Sequence, residues 1–301
     1  MLTHAAHTYL AVRRSAGWTL RWQGTALTSF VAFSEARGHQ YVSVAIALEW
    51  AGSARQVAQR ARRLGVVIRF ARYLHAEDRQ HAVPPAIFGT ERQRRPTPYI
   101  LTAEQIRQLI DAVARARVPT LRQATYRAFF ALLACTGLRV SEAIRLRCAD
   151  LTADGLVIRE TKFRKTRLVP LHPSAQAGLE RYLQDRRSFA PADDHVFVSL
   201  RRKPLLGRDV ITAFSKAVKD VGLPCRSGAR PSAKSLRHTF ATRALQTCPD
   251  GRDAITRHTV ALSTYLGHKS VAETYWYLEA VPELMQDIAN RAEDHAMGAR
   301  R

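Results

Sequence analysis

Residues 136–146 read Thr-Gly-Leu-Arg-Val-Ser-Glu-Ala-Ile-Arg-Leu, a glycine stop followed at once by a new helical start. Upstream, Arg122–Thr136 carries the unbroken apolar run Ala128–Cys135. It reads as a buried helix ended by Gly137, with a second helix opening at Ser141 and running to Arg147. Arg139 and Glu142 stand three positions apart, the spacing of an ordinary ion pair on one helical turn.

Outward from this point the chain is mixed. Thr102-Ala103-Glu104-Gln105 has the form of a capping box opening a helix that runs through Val113. Gly155–Thr161 and Thr166–Leu171 are short strand candidates joined by Lys162-Phe163-Arg164-Lys165. Beyond Pro173 helical periodicity returns at Ala175–Arg186, Asp209–Val221, Ser235–Gln246, Val260–Leu266 and Glu273–Leu278, continuing after Pro282 toward Arg291. The segment Cys248–His258 reads as a loop insertion. Between His75 and Ile100, Pro84-Pro85 and a cluster of arginines and prolines lack apolar periodicity and mark a linker. The expected organisation is a helical unit over 1–80, a linker over 81–99 and a mixed α/β unit over 100–301. The expected fold class is mainly α with a small β-sheet.

In the first unit the strongest helix is Arg55–Leu74, where Val57, Ala61, Leu64, Ile68 and Ala71 make one apolar face. Arg55, Arg62 and Arg69 recur every seven residues on the other side. Six arginines and no acid fall between Arg55 and Arg72. A solvated face is the common fate of surface charge, but such a face usually mixes signs. Phosphate contact is the reading favoured here.

The chain has 301 residues, 46% of them hydrophobic and 24% charged, which excludes a disordered or disulfide-scaffold protein. Its 47 basic residues against 25 acidic leave a formal charge of +22, a balance that favours a polyanionic partner. Only seven of the basic residues are lysine, so each lysine is informative, although arginine-rich codon usage explains the skew too. Cys135, Cys148, Cys225 and Cys248 show no metal-ligand spacing and read as buried thiols in a reducing compartment. No metal or other cofactor is expected. No apolar run approaches a membrane span, and the first residues lack the order of a signal peptide. A soluble, cytoplasmic protein with no membrane partner is expected.

Five places could carry chemistry: Arg139 with its neighbours, Lys162, Lys234–His238, Leu266-Gly267-His268 and Tyr275-Trp276-Tyr277. Each alone has a plain structural explanation. Taken together and in order, TGLRVSEAIRL (136–146), RLVPLHP (167–173), SLRHTFAT (235–242) and LGHKSVAETYWYL (266–278) resemble the catalytic domain of the tyrosine recombinase, or phage integrase, family. The similarity runs from about Leu101 to Leu284 and is strongest to integrases of bacterial mobile elements. The first unit is similar in position and character to the family's core-binding domain.

The resemblance implies a site-specific DNA recombinase that cleaves and rejoins strands through a 3′-phosphotyrosine, without metal or ATP. It implies Tyr277 as nucleophile, Arg139 and Arg237 on the non-bridging phosphate oxygens, Lys162 as proton donor to the leaving 5′ oxygen, and His268 on the scissile phosphate. Tyr275, two residues from Tyr277, points elsewhere on a helix. The chemistry suits these residue types. A phenol can form a covalent phosphodiester, and it needs cationic neighbours to ionise. A guanidinium grips two oxygens and stays charged. The sequence departs from the family where Lys234 replaces the usual histidine three residues before Arg237. Lysine still donates to a phosphate but accepts a proton poorly. Arg164, Lys165 and Arg167 sit where a hairpin could track a DNA groove, and Lys165 competes with Lys162 for its role. The implied partner is double-stranded DNA with inverted half-sites, bound by dimers that pair into tetramers, alone or alongside partner recombinases, with nucleoid association when bound. The alternatives are a type IB topoisomerase or a catalytically impaired DNA-binding accessory protein.

Overall fold

The computed structural model describes residues 2–89, 97–115, 121–159, 166–189, 194–225, 229–248, 251–279 and 293. The chain divides into two compact units, Met1–Arg95 and Pro96–Arg301.

The first unit contains four helices: α1 (Leu2–Ser15), α2 (Arg21–Glu35), α3 (Val44–Gly52) and α4 (Val57–Glu77). Its core gathers Leu10, Leu27, Phe30, Trp50, Leu64, Val67 and Phe70, with Val83 and Phe88 packed against it. The Nδ1 of His81 accepts from the Val42 backbone N–H, so the chain after α4 stays attached to this unit. On α4, Leu64, Ile68 and Ala71 are buried as the periodicity expects, while Val57, in the first turn, is exposed. Arg55 lies just ahead of the helix, and Arg62 and Arg69 are exposed along it.

The second unit opens with α5 (Ala103–Ala114), capped as its sequence indicates: Thr102 Oγ1 accepts from Gln105 N and Gln105 Oε1 accepts from Thr102 N, both at 3.1 Å. Next come α6 (Leu121–Thr136) and the six-residue α7 (Val140–Arg145). A three-stranded antiparallel sheet follows, with β1 (Leu151–Thr152), β2 (Gly155–Ile158) and β3 (Arg167–Val169) in sequence order. Both sequence-derived strands extend further than the observed ones, and β1 is too short to carry a periodic signal. The unit ends with α8 (Pro173–Ser188), α9 (Gly207–Val221), α10 (Ala233–Gln246), α11 (Arg252–Leu266) and α12 (Ala272–Glu279). The continuation toward Arg291 lies outside the described residues.

Helix α6 is the axis of this unit: Phe129, Phe130 and Leu133 are fully buried in its main core. A smaller cluster of Ala241, Leu245, Leu262, Leu266 and Tyr277 joins α10, α11 and α12. This second cluster corrects the loop expected at Cys248–His258. After Gly251, whose φ is +100°, the chain is helical from Arg252 onward and holds Leu262 and Leu266 against α10. The cysteines also differ from expectation, since Cys135, Cys148 and Cys225 are exposed and Cys248 is half-buried. Among the described residues no helix is long and apolar enough to cross a membrane.

Candidate active site

The site is organised by the C-terminal end of α11. A helix leaves its last carbonyls without intrahelical donors. Gly267, at φ +65°, turns the chain so that Gly267 N–H reaches Thr264 O and His268 N–H reaches Ser263 O, at 2.9 and 3.0 Å. Three carbonyls remain, and a different arginine takes each. Arg167 Nε donates to Tyr265 O at 2.7 Å, Arg237 Nη2 to Leu266 O at 2.8 Å, and Arg139 Nη2 to Gly267 O at 2.8 Å. Cations are favoured at this negative pole of the helix dipole. Gly267 is pinned by sterics as well, because a Cβ there would lie 2.8 Å from Arg167 Nη1 and 3.4 Å from Arg139 Nη1.

Glu142 ties two of these arginines together. Its Oε1 accepts from Arg139 Nη1 (2.8 Å) and Arg167 Nη1 (3.2 Å), and its Oε2 from Arg139 N (3.0 Å) and Arg167 Nη2 (2.9 Å). All four acceptor sites of the carboxylate are filled. Burial alone would raise its pKa, but hydrogen bonds and charge from Arg167, with those from Arg139, hold it at about 2. Arg237 is buried and donates to two carbonyls, Leu266 O and Gly137 O (2.7 Å). Burial, with the neighbouring Arg139 charge, lowers its pKa to about 10, so it remains a cation at neutral pH.

His268 follows Gly267 directly. Its Nδ1 pairs with Thr274 Oγ1 at 2.7 Å, and its ring lies nearly parallel to that of Tyr277, with centroids 6.1 Å apart. The Tyr277 hydroxyl is 3.4 Å from His238 Nδ1, and Trp276 packs on both Tyr277 and His238. Burial and the Arg237 charge lower both histidines to about 4, so both imidazoles are neutral at pH 7. Tyr277 is 4% exposed within this cluster, whereas Tyr275 is 51% exposed.

The structure therefore brings together Arg139, Arg237, His268 and Tyr277. Lys234 is exposed at the start of α10, one turn before Arg237 and His238, and its charge contributes to the lowering at His238. Lys162, Arg164 and Lys165 lie outside the described residues. Arg167 faces inward in place of the groove: its side chain is 9% exposed and its fork meets Glu142. Strand alternation carried that signal, since Val169 is buried, Leu168 is exposed and Arg167 shares the face of Val169. Thr274 has no signal in the sequence as a partner of the site, and His238, within the stretch the sequence singles out, gains a specific partner only here, in the Tyr277 hydroxyl. In the other unit, the Arg62 guanidinium sits 4.4 Å above the ring of Trp22, an aromatic component the charge pattern did not show. Among the described residues no group of three or more His, Cys, Asp and Glu could hold a metal ion.

Residues 100–283 match the phage integrase family. A putative integrase/recombinase of Sinorhizobium fredii is 37% identical over 301 residues, covering 96% of either chain. The tyrosine recombinase XerD of Brucella suis is 30% identical over 243 residues, covering 76% of this chain and 74% of the relative. The chain belongs to the phage integrase family, the tyrosine-type site-specific recombinases. Two solved structures share its fold. A lambda integrase dimer bound to a core site superposes with a TM-score of 0.62 at 18% identity, covering 90% of this chain and 96% of that one. The Tn1549 transposon integrase in complex with transposon right end DNA gives 0.62 at 17% identity, covering 95% and 98%.

Proposed function

We propose that this protein cleaves and rejoins DNA at specific sites through a covalent 3′-phosphotyrosine at Tyr277. The carrying observation is the end of α11, which holds the guanidinium groups of Arg139 and Arg237 on consecutive carbonyls immediately before a histidine whose ring lies against a tyrosine.

The reaction balances within the protein and its substrate. Arg139 and Arg237 bind the non-bridging oxygens of a backbone phosphate and meet the charge that grows in the transition state. Tyr277 Oη forms a bond to phosphorus as the bond to the 5′ oxygen breaks. The phenol passes its proton to the neutral imidazole of His238, whose Nδ1 lies 3.4 Å from the Tyr277 hydroxyl, and the 5′ oxygen gains one from Lys162. His268, neutral and oriented by Thr274, donates to the phosphate. A 5′ hydroxyl from a partner duplex then reverses the step, so strands exchange with no metal and no nucleotide. Tyr277, on the eight-residue α12, is 4% exposed, so this reading requires its hydroxyl to become accessible to the phosphate when DNA binds.

The exposed arginines of α4 supply backbone contacts that carry much of the affinity. Dimers on inverted half-sites, paired as tetramers, are the assembly proposed, in line with the DNA-bound relatives; the protein acts in the cytoplasm, on the nucleoid.

The test is a duplex nicked just beyond the cleavage position, so that the released fragment diffuses away. Wild type accumulates a covalent complex that Tyr277→Phe abolishes and Tyr275→Phe retains. Specific binding with no covalent complex under any condition would favour an accessory DNA-binding protein, the reading that Lys234 supports. Relaxation of supercoiled DNA without strand exchange would favour a type IB topoisomerase.

A further inference from the structure

We infer that Arg167 is a positioning residue for catalysis, setting the Arg139 guanidinium through Glu142 and locking strand β3 to the end of α11, and that it does not bind DNA. The inference rests on the recombinase reading above.

Arg167 directs its donors inward. Two of its nitrogens lie on the two oxygens of Glu142, at 3.2 and 2.9 Å, and the third reaches Tyr265 O at 2.7 Å. A planar fork meets a carboxylate and a carbonyl at once, which a lysine ammonium at the same position cannot do. Glu142, with a side chain 2% exposed, has no solvent to replace a lost partner. Without Arg167, half of its acceptor sites stand empty and only Arg139 still holds the carboxylate. The Arg139 Nη1 that pairs with Glu142 belongs to the same guanidinium that holds Gly267 O. A turn of the carboxylate therefore displaces the group proposed to grip the phosphate.

The second connection runs through the chain itself. Arg167 opens β3, directly after the segment that carries Lys162, and pairs with Ile158 of β2. Its bond to Tyr265 O fixes this hairpin to the helix end that also holds Arg139, Arg237 and His268. One side chain thus ties the strand that follows the Lys162 segment in sequence to the proposed phosphate clamp.

The experiment compares Arg167→Met, which keeps the stem and removes the fork, with Arg167→Lys, each in the full chain and each also combined with Glu142→Gln. Three quantities are read: Kd for a cognate duplex across a salt series, the single-turnover rate of covalent complex formation, and the thermal melt. The expected result is an unchanged Kd and salt slope with a cleavage rate lowered about 100-fold, the effect of a misplaced catalytic group. Arg167→Lys recovers part of that rate, and adding Arg167→Met to Glu142→Gln costs little beyond Glu142→Gln alone. A salt slope reduced by about one, with weakened binding and proportionate loss of cleavage, would show a direct phosphate contact and overturn the inference. Equal cleavage by wild type and both variants would overturn it as well. So would loss of the cooperative melt in both variants, which would make Arg167 a residue of the fold alone. If wild type itself forms no covalent complex, the recombinase reading fails and this inference falls with it.

Discussion

Arg139 and Arg237, distant from each other in the sequence of the second unit, donate to adjacent carbonyls, Gly267 O and Leu266 O, and so are held side by side by one helix end. The arrangement joins local folding to function. A glycine that ends α11 exposes carbonyls, the carbonyls recruit guanidinium groups, and the next residue is the histidine that lies against Tyr277.

Gly267 is a sensitive position in this arrangement. A side chain at its positive φ costs about 1–2 kcal/mol, and the added methyl would press on Arg167. Gly267→Ala is expected to lower the melting temperature modestly and the single-turnover cleavage rate far more. A loss of cleavage no larger than the loss of stability accounts for would count against the helix-end clamp.

Stability falls with acid in two windows. His238 and His268, lowered mainly by burial, bind fewer protons in the native state than in the unfolded chain. The stability they contribute is complete above about pH 6.5 and is lost as pH falls toward 4. The contribution of Glu142 persists further, from its ordinary 4.5 down to about 2. Melting temperatures measured from pH 7.5 to 4 should decline below about 6.5. His238→Gln should make that decline shallower, and an identical slope in the variant would contradict the assignment.

Lys234 stands where the resemblance to the family implies a histidine. It is exposed, so Lys234→Ala is expected to fold as wild type does. If it donates to the phosphate, covalent complex formation slows by about 100-fold, the usual cost of losing one preorganised donor. Lys234→His should preserve the rate. Unchanged kinetics in Lys234→Ala would remove this lysine from the site.

The arginine stripe of the first unit makes a separate claim. Replacing Arg55, Arg62 and Arg69 together by alanine is expected to reduce the slope of log affinity against log salt by up to about 3, while leaving cleavage of saturated complex unchanged. An unaltered slope would mean that these arginines only face solvent.

Much of this was legible in the sequence because the signals were local. The Thr102 capping box, the Gly137 stop and the spacing from His268 to Tyr277 each depend on residues within one or two turns. The rest needed the third dimension. The start of helix α11 gives no apolar periodicity because its first turns, Asp253 to Arg257, are mostly polar and exposed. The charge of Arg167 suggests solvent, and its burial follows only from pairing with a carboxylate that lies distant in sequence. The cysteines show the converse, apolar by composition but at the surface in three of four cases.

The most direct measurement of the central claim is the site of the covalent bond itself. Wild-type protein trapped on the nicked duplex is digested with protease and nuclease, and the nucleotide-bearing peptide is sequenced by mass spectrometry. The account predicts a 3′-phosphate ester on Tyr277. A linkage on Tyr275, on any other side chain, or through a 5′-phosphate would contradict it.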